Sequence, residues 1–384
     1  MRVVIAGGGI AGLTVAGLLS RTGSHDVTVL ERAHAYGEAG YGIGLYPLGS
    51  AVFSALGAMD DLVARSTPLE RYVVHGPDGA ELQAVDLSEL LADFGPMLGV
   101  SRADLVDVLA SRVPADRIRF GQHATGVERT DAGVVVRTRD GGSVEGDVVV
   151  AADGMHSALR ASLFGEVAPR ETGFDAWMWW APADTGPAAT ASEFWGPAAF
   201  VGLYPMPGRV NVAVAVPSEA SPAHDASAQE RIATLRAHVE RHAPGPAAIP
   251  GLWGDGSAEP FLWPMSDVRA PRLTALDDRV ALVGDAGIGF LPTAGVGASN
   301  ALRAAAALAY DLSLADTTNA RVAVQRWRDR VQRLVTKNQD DSRTLAKVMM
   351  IEHATVSRVV NTVMRHVPVT AMTRGIVESM RAPF

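Results

Sequence analysis

Residues 2–32 constrain the fold more than any other part of the chain, because they combine a buried strand with a glycine-rich turn. The run at residues 3–6 is apolar without polar alternation, which is typical of a strand buried on both faces. Gly7, Gly9 and Gly12 follow with the spacing G-x-G-x-x-G. This spacing permits a tight strand-to-helix turn, the approach of a pyrophosphate to bare backbone, and close packing of helix on strand. The stretch therefore predicts a phosphate site at a helix N-terminus.

A second strand after this helix points to a dinucleotide as the ligand. Residues 11–20 are predicted to be helical and residues 27–30 to form a buried strand that ends at Glu31. An acidic side chain at this position accepts hydrogen bonds from the ribose hydroxyls of a dinucleotide. A secretory signal peptide is the alternative, but glycines interrupt the apolar segment and a patterned strand follows it.

Composition excludes several other classes of function. The 384 residues include no cysteine, which excludes thiol catalysis, disulfides and thiolate metal sites. A formal charge of -8 and the lack of a basic stripe argue against a nucleic-acid partner. The uncharged run at residues 286–302 contains Pro292 and four glycines. We therefore expect no membrane span and a cytoplasmic location.

His238 and His242 are the candidate metal ligands, because they stand four residues apart on a predicted helix. Two imidazoles lack a third ligand, and the order His-Val-Glu-Arg-His differs from that of zinc proteases. We predict an exposed histidine pair and no metal site.

Strand and turn patterns divide the chain into two lobes. A hairpin is predicted at residues 72–75 and 81–86, and strands rich in aromatic residues and proline occupy residues 172–217. Both segments are assigned to a second, mostly antiparallel lobe. The other predicted segments are an irregular loop at residues 37–49, a helix at 51–65 and a helical section at 321–380.

Three buried strands, at residues 2–6, 148–152 and 279–283, each end in a glycine or aspartate turn before a helix. In a doubly wound fold these strand ends face one crevice and one ligand. With these motifs in this order, the chain resembles class A flavoprotein monooxygenases, the family of p-hydroxybenzoate hydroxylase. The three motifs are Gly7-x-Gly9-x-x-Gly12 with Glu31, Ala152-Asp153-Gly154-x-x-Ser157-x-x-Arg160, and Gly284-Asp285-Ala286 with Pro292-x-x-Gly295-x-Gly297.

The resemblance implies an α/β fold with a doubly wound, Rossmann-like FAD-binding domain, an inserted and mostly antiparallel β-sheet substrate domain, and C-terminal helices. We assign residues 1–67, 101–168 and 271–384 to the FAD-binding domain, and residues 68–100 and 169–270 to the substrate domain.

The resemblance also implies a set of FAD-binding residues. Glu31 would hold the adenosine ribose, Arg102 the diphosphate region and Asp285 the ribityl chain. The amides around residues 295–298 would face the pyrimidine edge of the flavin, where a helix N-terminus stabilises the negative charge of the reduced ring. The full predicted set is Gly7, Gly9, Ala11, Gly12, Glu31, Arg32, Arg102, Asp153, Gly154, Gly284, Asp285, Pro292, Gly295, Gly297 and Ala298.

The implied reaction is oxygen insertion by a single-component enzyme. NAD(P)H would reduce FAD, O2 would add at flavin C4a, and the hydroperoxide would hydroxylate or epoxidise an apolar aromatic or polycyclic small molecule. No second G-x-G-x-x-G is present for the nicotinamide cofactor, and the family also lacks one. We expect a monomer or weak homo-oligomer.

Aromatic residues of the second lobe are the candidates for the substrate pocket, since such pockets are mostly apolar. We predict that some of Trp179, Trp195 and Tyr204 line it, together with Pro292. Tyr46 and Tyr204 are candidates for orienting a substrate hydroxyl. No residue is assigned as a catalytic acid or base.

Three alternatives use the same fold. Trp177-x-Trp179 is similar to a signature of flavin-dependent halogenases, but their essential lysine has no counterpart before Lys337. A flavin oxidase or reductase would not insert oxygen. A scaffold that binds FAD for a non-redox rearrangement is the third alternative. The sequence features in favour of this scaffold are Gly287-Ile288 and Arg303-Ala304, which stand where relatives commonly have a histidine and an acid-alanine pair.

Overall fold

The structure is a computed structural model that describes residues 1–37, 41–131, 133–254, 258–367 and 378. The strands are β1 Arg2–Ala6, β2 Asp26–Glu31, β3 Gly42–Leu45, β4 Ser66–Leu69, β5 Arg71–His75, β6 Glu81–Asp86, β7 Met97–Ser101, β8 Ile118–Phe120, β9 Ala124–Thr130, β10 Gly133–Thr138, β11 Ser143–Gly146, β12 Val148–Ala151, β13 Arg170–Pro182, β14 Thr190–Gly196, β15 Ala199–Met206, β16 Arg209–Pro217, β17 Phe261–Arg269, β18 Thr274–Ala275, β19 Val280–Leu282 and β20 Ile288–Gly289. The helices are α1 Ile10–Thr22, α2 Pro47–Leu56, α3 Met59–Ala64, α4 Leu87–Leu90, α5 Arg102–Ala110, α6 Ala158–Phe164, α7 Ala228–His242, α8 Pro244–Ala247, α9 Gly297–Ser313, α10 Ala320–Met349 and α11 Ala354–Met364.

A six-stranded sheet carries the predicted strand-turn motifs. Its order is β18-β19-β12-β1-β2-β8, and β1, β2, β8, β12 and β19 run parallel. Val3 and Ile5 pack against helices α1, α5, α9 and α10, whereas Val4 and Ala6 pack toward the antiparallel sheet β9–β11. Both faces of β1 are covered, so its sequence needs no polar alternation. The doubly wound α/β prediction is confirmed.

An eight-stranded sheet forms the second large layer, in the order β20-β17-β13-β16-β15-β14-β5-β6. The predicted hairpin, β5 and β6, belongs to this sheet and joins β14 in parallel. The pairings among β13 to β17 are antiparallel. The prediction of an antiparallel second layer is therefore confirmed, whereas the division into domains at the stated boundaries stays a prediction.

The loop prediction at residues 37–49 was wrong in part. β3 lies within this segment and pairs with β7, which also pairs with β4 in a three-stranded antiparallel sheet. A strand of four residues with two glycines has no readable period, and its partner lies far away in sequence. The helix predicted at residues 51–65 is two helices, because Gly57 ends α2 with a φ of 63°.

Helix α10 connects the two layers. Trp327 packs with the parallel sheet and donates from Nε1 to the Ala304 carbonyl at 2.8 Å, while Met349 packs with the eight-stranded sheet. The helical section predicted at residues 321–380 is interrupted between α10 and α11, and residues 368–377 and 379–380 lie outside the described part. None of the described helices is long and apolar enough to cross a membrane.

Candidate active site

A cavity of about 720 Å³ lies between the carboxyl ends of the parallel strands and one face of the eight-stranded sheet. The turns after β1, β12 and β19 line one end, through Gly9, Gly154 and Asp285. Side chains of β5, β13, β14, β15, β16 and β17 line the other end. The three motifs and the second lobe therefore share one cavity.

The β1–α1 turn explains each glycine of the first motif. Gly7 has a φ of 110°, and a Cβ there would stand 2.2 Å from the Ala152 carbonyl oxygen. A Cβ on Gly12 would stand 1.9 Å from the Gly7 carbonyl oxygen. A Cβ on Gly9 would meet nothing within 4 Å, so only this position is open toward a ligand. Since Gly9 provides no side-chain cap, the first N–H groups of α1 are available to an anion.

A second helix N-terminus opens into the same cavity. Gly295 adopts a φ of 61° after the turn at residues 292–294, and α9 then begins without a side-chain cap. Pro292, Gly295, Gly297 and Ala298 all line the cavity. Two uncapped helix N-termini in one cavity provide two separate positions for negative charge.

Asp285 lines the cavity with Arg102 and Gly284. Burial raises the pKa of the Asp285 carboxyl to about 6, and the positive charges of Arg102 and Arg160 oppose this shift. Arg160 itself is buried and donates to the carbonyls of Met155, Asp285 and Ala286. Arg160 therefore ties the turn after β12 to the turn after β19.

Asp153 and Gly154 contribute differently to their turn. The Asp153 carboxylate accepts hydrogen bonds from Ser157 Oγ at 2.6 Å and from the Leu159 amide at 3.1 Å, so it fixes the start of α6. Gly154, with a φ of 83°, has open space where a Cβ would stand and lines the cavity. The cofactor role of Asp153 stays a prediction.

Glu31 lies beside the first turn, and neither Glu31 nor Arg32 lines the cavity. Glu31 accepts hydrogen bonds from the Gly8 amide at 2.7 Å and from the Ala33 amide at 2.8 Å. The carboxylate thus fixes the turn that carries Gly9, while each oxygen keeps a second lone pair. The assignments of Glu31 and Arg32 to the adenosine part stay predictions.

A buried acid occupies the second end of the cavity. Glu193 on β14 is 5% exposed, and three donors converge on its carboxylate. These donors are Tyr72 Oη at 2.6 Å and Trp195 Nε1 at 3.0 Å, both to Oε2, and Tyr204 Oη at 2.8 Å to Oε1. Burial raises the pKa of the Glu193 carboxyl, and the three hydrogen bonds oppose the shift. We call these four side chains the Glu193 cluster.

The sequence analysis missed Glu193 and Tyr72. A charged residue inside strand β14, next to Phe194, was the available signal, because an unpaired charge is rarely buried. The identity of its donors was not readable, since Tyr72 stands 121 positions away in the sequence. Trp195, Tyr204 and Tyr46 all line the cavity, and burial raises the pKa of Tyr46 to about 12.

Trp179 does not line the cavity, and this part of the pocket prediction is corrected. Successive side chains of β13 point to opposite faces, so Ala176 and Met178 face the cavity while Trp179 faces α7. Trp179 is 1% exposed and donates from Nε1 to the Leu252 carbonyl at 2.9 Å.

His238 and His242 are half-buried rather than exposed. Their rings stack with centroids 4.4 Å apart, and His238 Nε2 lies 2.8 Å from the Ala198 carbonyl oxygen. Among the described residues, no group of three or more metal-binding side chains is present.

The cavity fits an FAD molecule at its first end. The open backbone at Gly9 and Gly154 provides room for a diphosphate, and the α1 N-terminus and Arg102 provide complementary charge. The backbone of residues 295–298, at the N-terminus of α9, lines the cavity and would favour a ring system that becomes negative when it is reduced.

The chain is similar to known flavoproteins over most of its length. Residues 1–324 match the family model described as FAD binding domain. Aurachin C monooxygenase/isomerase of Stigmatella aurantiaca is 31% identical over 318 residues, which cover 82% of this chain and 81% of that protein. The 3-amino-4-hydroxybenzoate 2-monooxygenase PtmB3 of Streptomyces platensis is 37% identical over 212 residues, which cover 53% of each chain.

A solved structure extends the similarity to the whole fold. Klebsiella pneumoniae HpxO, crystallised with FAD and uric acid, matches 99% of this chain and 96% of its own with a TM-score of 0.85 and 25% identity. From the family match, these relatives and the fit of the cavity, we conclude that this chain belongs to the FAD-binding flavoprotein monooxygenases of class A.

Proposed function

We propose that this protein is a single-component hydroxylase or epoxidase that uses FAD, NAD(P)H and O2 to oxygenate an apolar aromatic or polycyclic small molecule. The observation that carries the proposal is the continuity of the cavity. One space reaches from the α1 N-terminus to the apolar face of the eight-stranded sheet, so a cofactor and a substrate can meet inside it.

In this proposal the chain holds the cofactor with backbone and a few charges. The N–H groups at the start of α1 and the Arg102 guanidinium would hold the diphosphate, and Asp285 would accept hydrogen bonds from the ribityl hydroxyls. The N–H groups of Gly297 and Ala298 would hold the pyrimidine edge of the flavin. When bound, FAD supplies the redox chemistry of oxygen insertion, for which a protein side chain has no equivalent.

The second end of the cavity would bind the substrate and exclude water. Ala176, Met178 and Phe200 offer apolar surface from the sheet, and Met349 and Met350 offer it from the end of α10. Thioether side chains adapt to irregular shapes, which suits an apolar ring system. A dry pocket protects a reactive oxidant from wasteful breakdown.

An anaerobic visible spectrum tests the cofactor and the reductant together. We expect a yellow protein whose flavin absorbance bleaches after addition of NADPH or NADH, and faster with a bound aromatic substrate. A yellow protein that neither nucleotide bleaches would favour the FAD scaffold or an external reductase. A colourless protein that cannot be reconstituted with FAD would overturn the proposal.

Labelled O2 separates oxygen insertion from the other redox alternative. We expect one labelled oxygen atom in the product by mass spectrometry. Peroxide or a reduced product without label would instead identify an oxidase or a reductase.

The proposal includes a cytoplasmic location and a monomer or weak homo-oligomer. Light scattering after size-exclusion chromatography measures the oligomeric state, and cell fractionation measures the location.

A further inference from the structure

The end of the cavity that is proposed to bind the substrate carries a buried carboxyl group with no positive partner among the described residues. Among the described residues, Glu193 forms no ion pair, and its three partners are the neutral donors of the Glu193 cluster. The described cations that line the cavity are elsewhere. Arg102 is near enough to act on Asp285, and Lys337 is paired with Asp341 at 2.6 Å with its side chain 59% exposed.

Hydrogen-bond counting shows what this carboxylate can still accept. An ionised carboxylate has about four lone-pair positions. Tyr72 and Trp195 occupy two of them at Oε2, and Tyr204 occupies one at Oε1. With the donors of the described part of the chain counted, one acceptor position remains at Oε1, on a side chain that lines the cavity.

The surroundings of this position limit what it accepts. Trp195 Nε1 can only donate, so Oε2 is held as an acceptor whichever way the tyrosine hydroxyls turn. Ala191, Phe200 and Ala213 line the same cavity and offer no hydrogen bond through their side chains, whereas Tyr46, which also lines it, is near enough to Glu193 for their charges to interact. An anion at this position would meet the Glu193 charge in an apolar environment, where like charges repel strongly.

We propose that Glu193 Oε1 accepts a hydrogen bond from a hydroxyl or ring N–H of the substrate, and that the cavity thereby selects neutral donor-bearing aromatic molecules over carboxylate-bearing ones. This inference rests on the proposed function and names the substrate class for the same site. Tyr72, Tyr204 and Trp195 act as positioning residues, because they fix the orientation of the carboxylate.

Three ring-matched probes test the selection without turnover. The probes are 2-naphthol, 2-methoxynaphthalene and 2-naphthoate, titrated calorimetrically into the FAD-loaded, oxidised protein without NAD(P)H. We expect 2-naphthol to bind about tenfold more tightly than the ether, which lacks the donor. The affinity of 2-naphthol should exceed that of the carboxylate by a still larger factor. Equal affinities for the three probes, or no binding of any of them to the folded protein, would overturn the proposal.

Glu193→Gln distinguishes recognition from a purely structural role of the acid. The amide keeps the shape and removes the charge, so discrimination against 2-naphthoate should fall by about tenfold while the ring still binds. Glu240→Gln on the surface of α7, where the side chain is 50% exposed, is the matched control and should keep the wild-type ratios. Unchanged ratios in a folded Glu193→Gln protein would contradict the inference. If this variant does not fold, the wild-type ratios alone decide.

The two proposals fail separately. Binding of the probes requires neither reductant nor oxygen, so an inactive but selective protein would leave the substrate class standing. A protein that inserts oxygen but binds the three probes equally would leave the proposed function standing and refute the role of Glu193.

Discussion

Two glycines in the β1–α1 turn differ in what their missing side chains permit. Gly7 is required by the fold, because its positive φ and its contact with the Ala152 carbonyl exclude a Cβ. Gly9 has an ordinary φ of -87° and open space around it, so the fold itself would accept a side chain at this position.

Gly9→Ala should therefore separate cofactor binding from stability. We expect the free energy of unfolding of the flavin-free protein to change by less than about 1 kcal/mol, and FAD affinity to fall by about tenfold or more. Gly7→Ala is the comparison and should lower both quantities. Urea unfolding and FAD titration provide the two measurements. An unchanged FAD affinity in Gly9→Ala would remove the diphosphate from this turn.

Asp285 is the residue whose titration should affect stability near neutral pH. Its native pKa of about 6 lies above its ordinary value of 3.8, so the native state binds this proton more tightly than the unfolded state does. The stabilising contribution is complete at pH values below the unfolded pKa and is lost as the pH rises through about 6.

Asp285→Asn should flatten this dependence in the flavin-free protein. The free energy of unfolding of the variant, relative to that of the wild type, should rise by on the order of 1 kcal/mol from about pH 5 to pH 7. Urea unfolding at both pH values measures the difference. A difference in free energy of unfolding between variant and wild type that is the same at both pH values would show that Asp285 does not titrate in this range.

At the scale of single elements, the pleat of a strand decides which side chains meet the ligand. β14 presents Glu193 and Trp195 to the cavity, whereas β13 turns Trp179 to the opposite face with Leu235 and Val239 of α7. Tryptophans that look equivalent in the sequence therefore lie in different surroundings.

Trp179→Phe should mainly lower the stability of the protein, whereas Trp195→Phe should mainly lower its affinity for 2-naphthol. Trp179→Phe should destabilise the protein by about 1–3 kcal/mol, through lost packing and an unsatisfied Leu252 carbonyl, with little effect on 2-naphthol binding. Trp195→Phe should weaken 2-naphthol binding by about threefold or more, because Glu193 loses a donor that holds it. Denaturation and calorimetry on both variants measure the contrast. The reverse pattern would refute the assignment of the two faces.

At the scale of the whole molecule, the cavity lies where separate layers meet. The parallel sheet, the eight-stranded sheet and α10 each contribute to its lining, so a molecule bound inside contacts all three. A ligand that binds only the native arrangement stabilises it by mass action.

FAD should consequently raise the melting temperature. At a free FAD concentration one hundred times its dissociation constant, native-state binding contributes about 2.7 kcal/mol. We expect a rise of a few degrees that increases with FAD concentration, measured by calorimetry on the flavin-free and reconstituted protein. Riboflavin, which lacks the diphosphate, is the control and should have a smaller effect. Equal effects of the two flavins would argue against a diphosphate site at α1.

Local segments could be predicted from the sequence because their interactions are local. The glycine spacing of the β1–α1 turn lies within residues 7–12, and the close approach of Gly12 to the Gly7 carbonyl is a contact within that segment. The hairpin β5–β6 was likewise readable from its turn and alternation. The order of the three motifs then sufficed to identify the fold and the cofactor.

Only the tertiary structure decided how distant segments meet. The sheet β3–β7–β4, the burial of Trp179 and the Glu193 cluster all depend on pairings between strands far apart in the sequence. No periodicity within one segment encodes the register of such pairings or which face of a sheet becomes a cavity. The motifs that line the first end of the cavity could therefore be recognised in the sequence. The second end is formed by side chains from distant strands, so only the packed layers show which residues meet there.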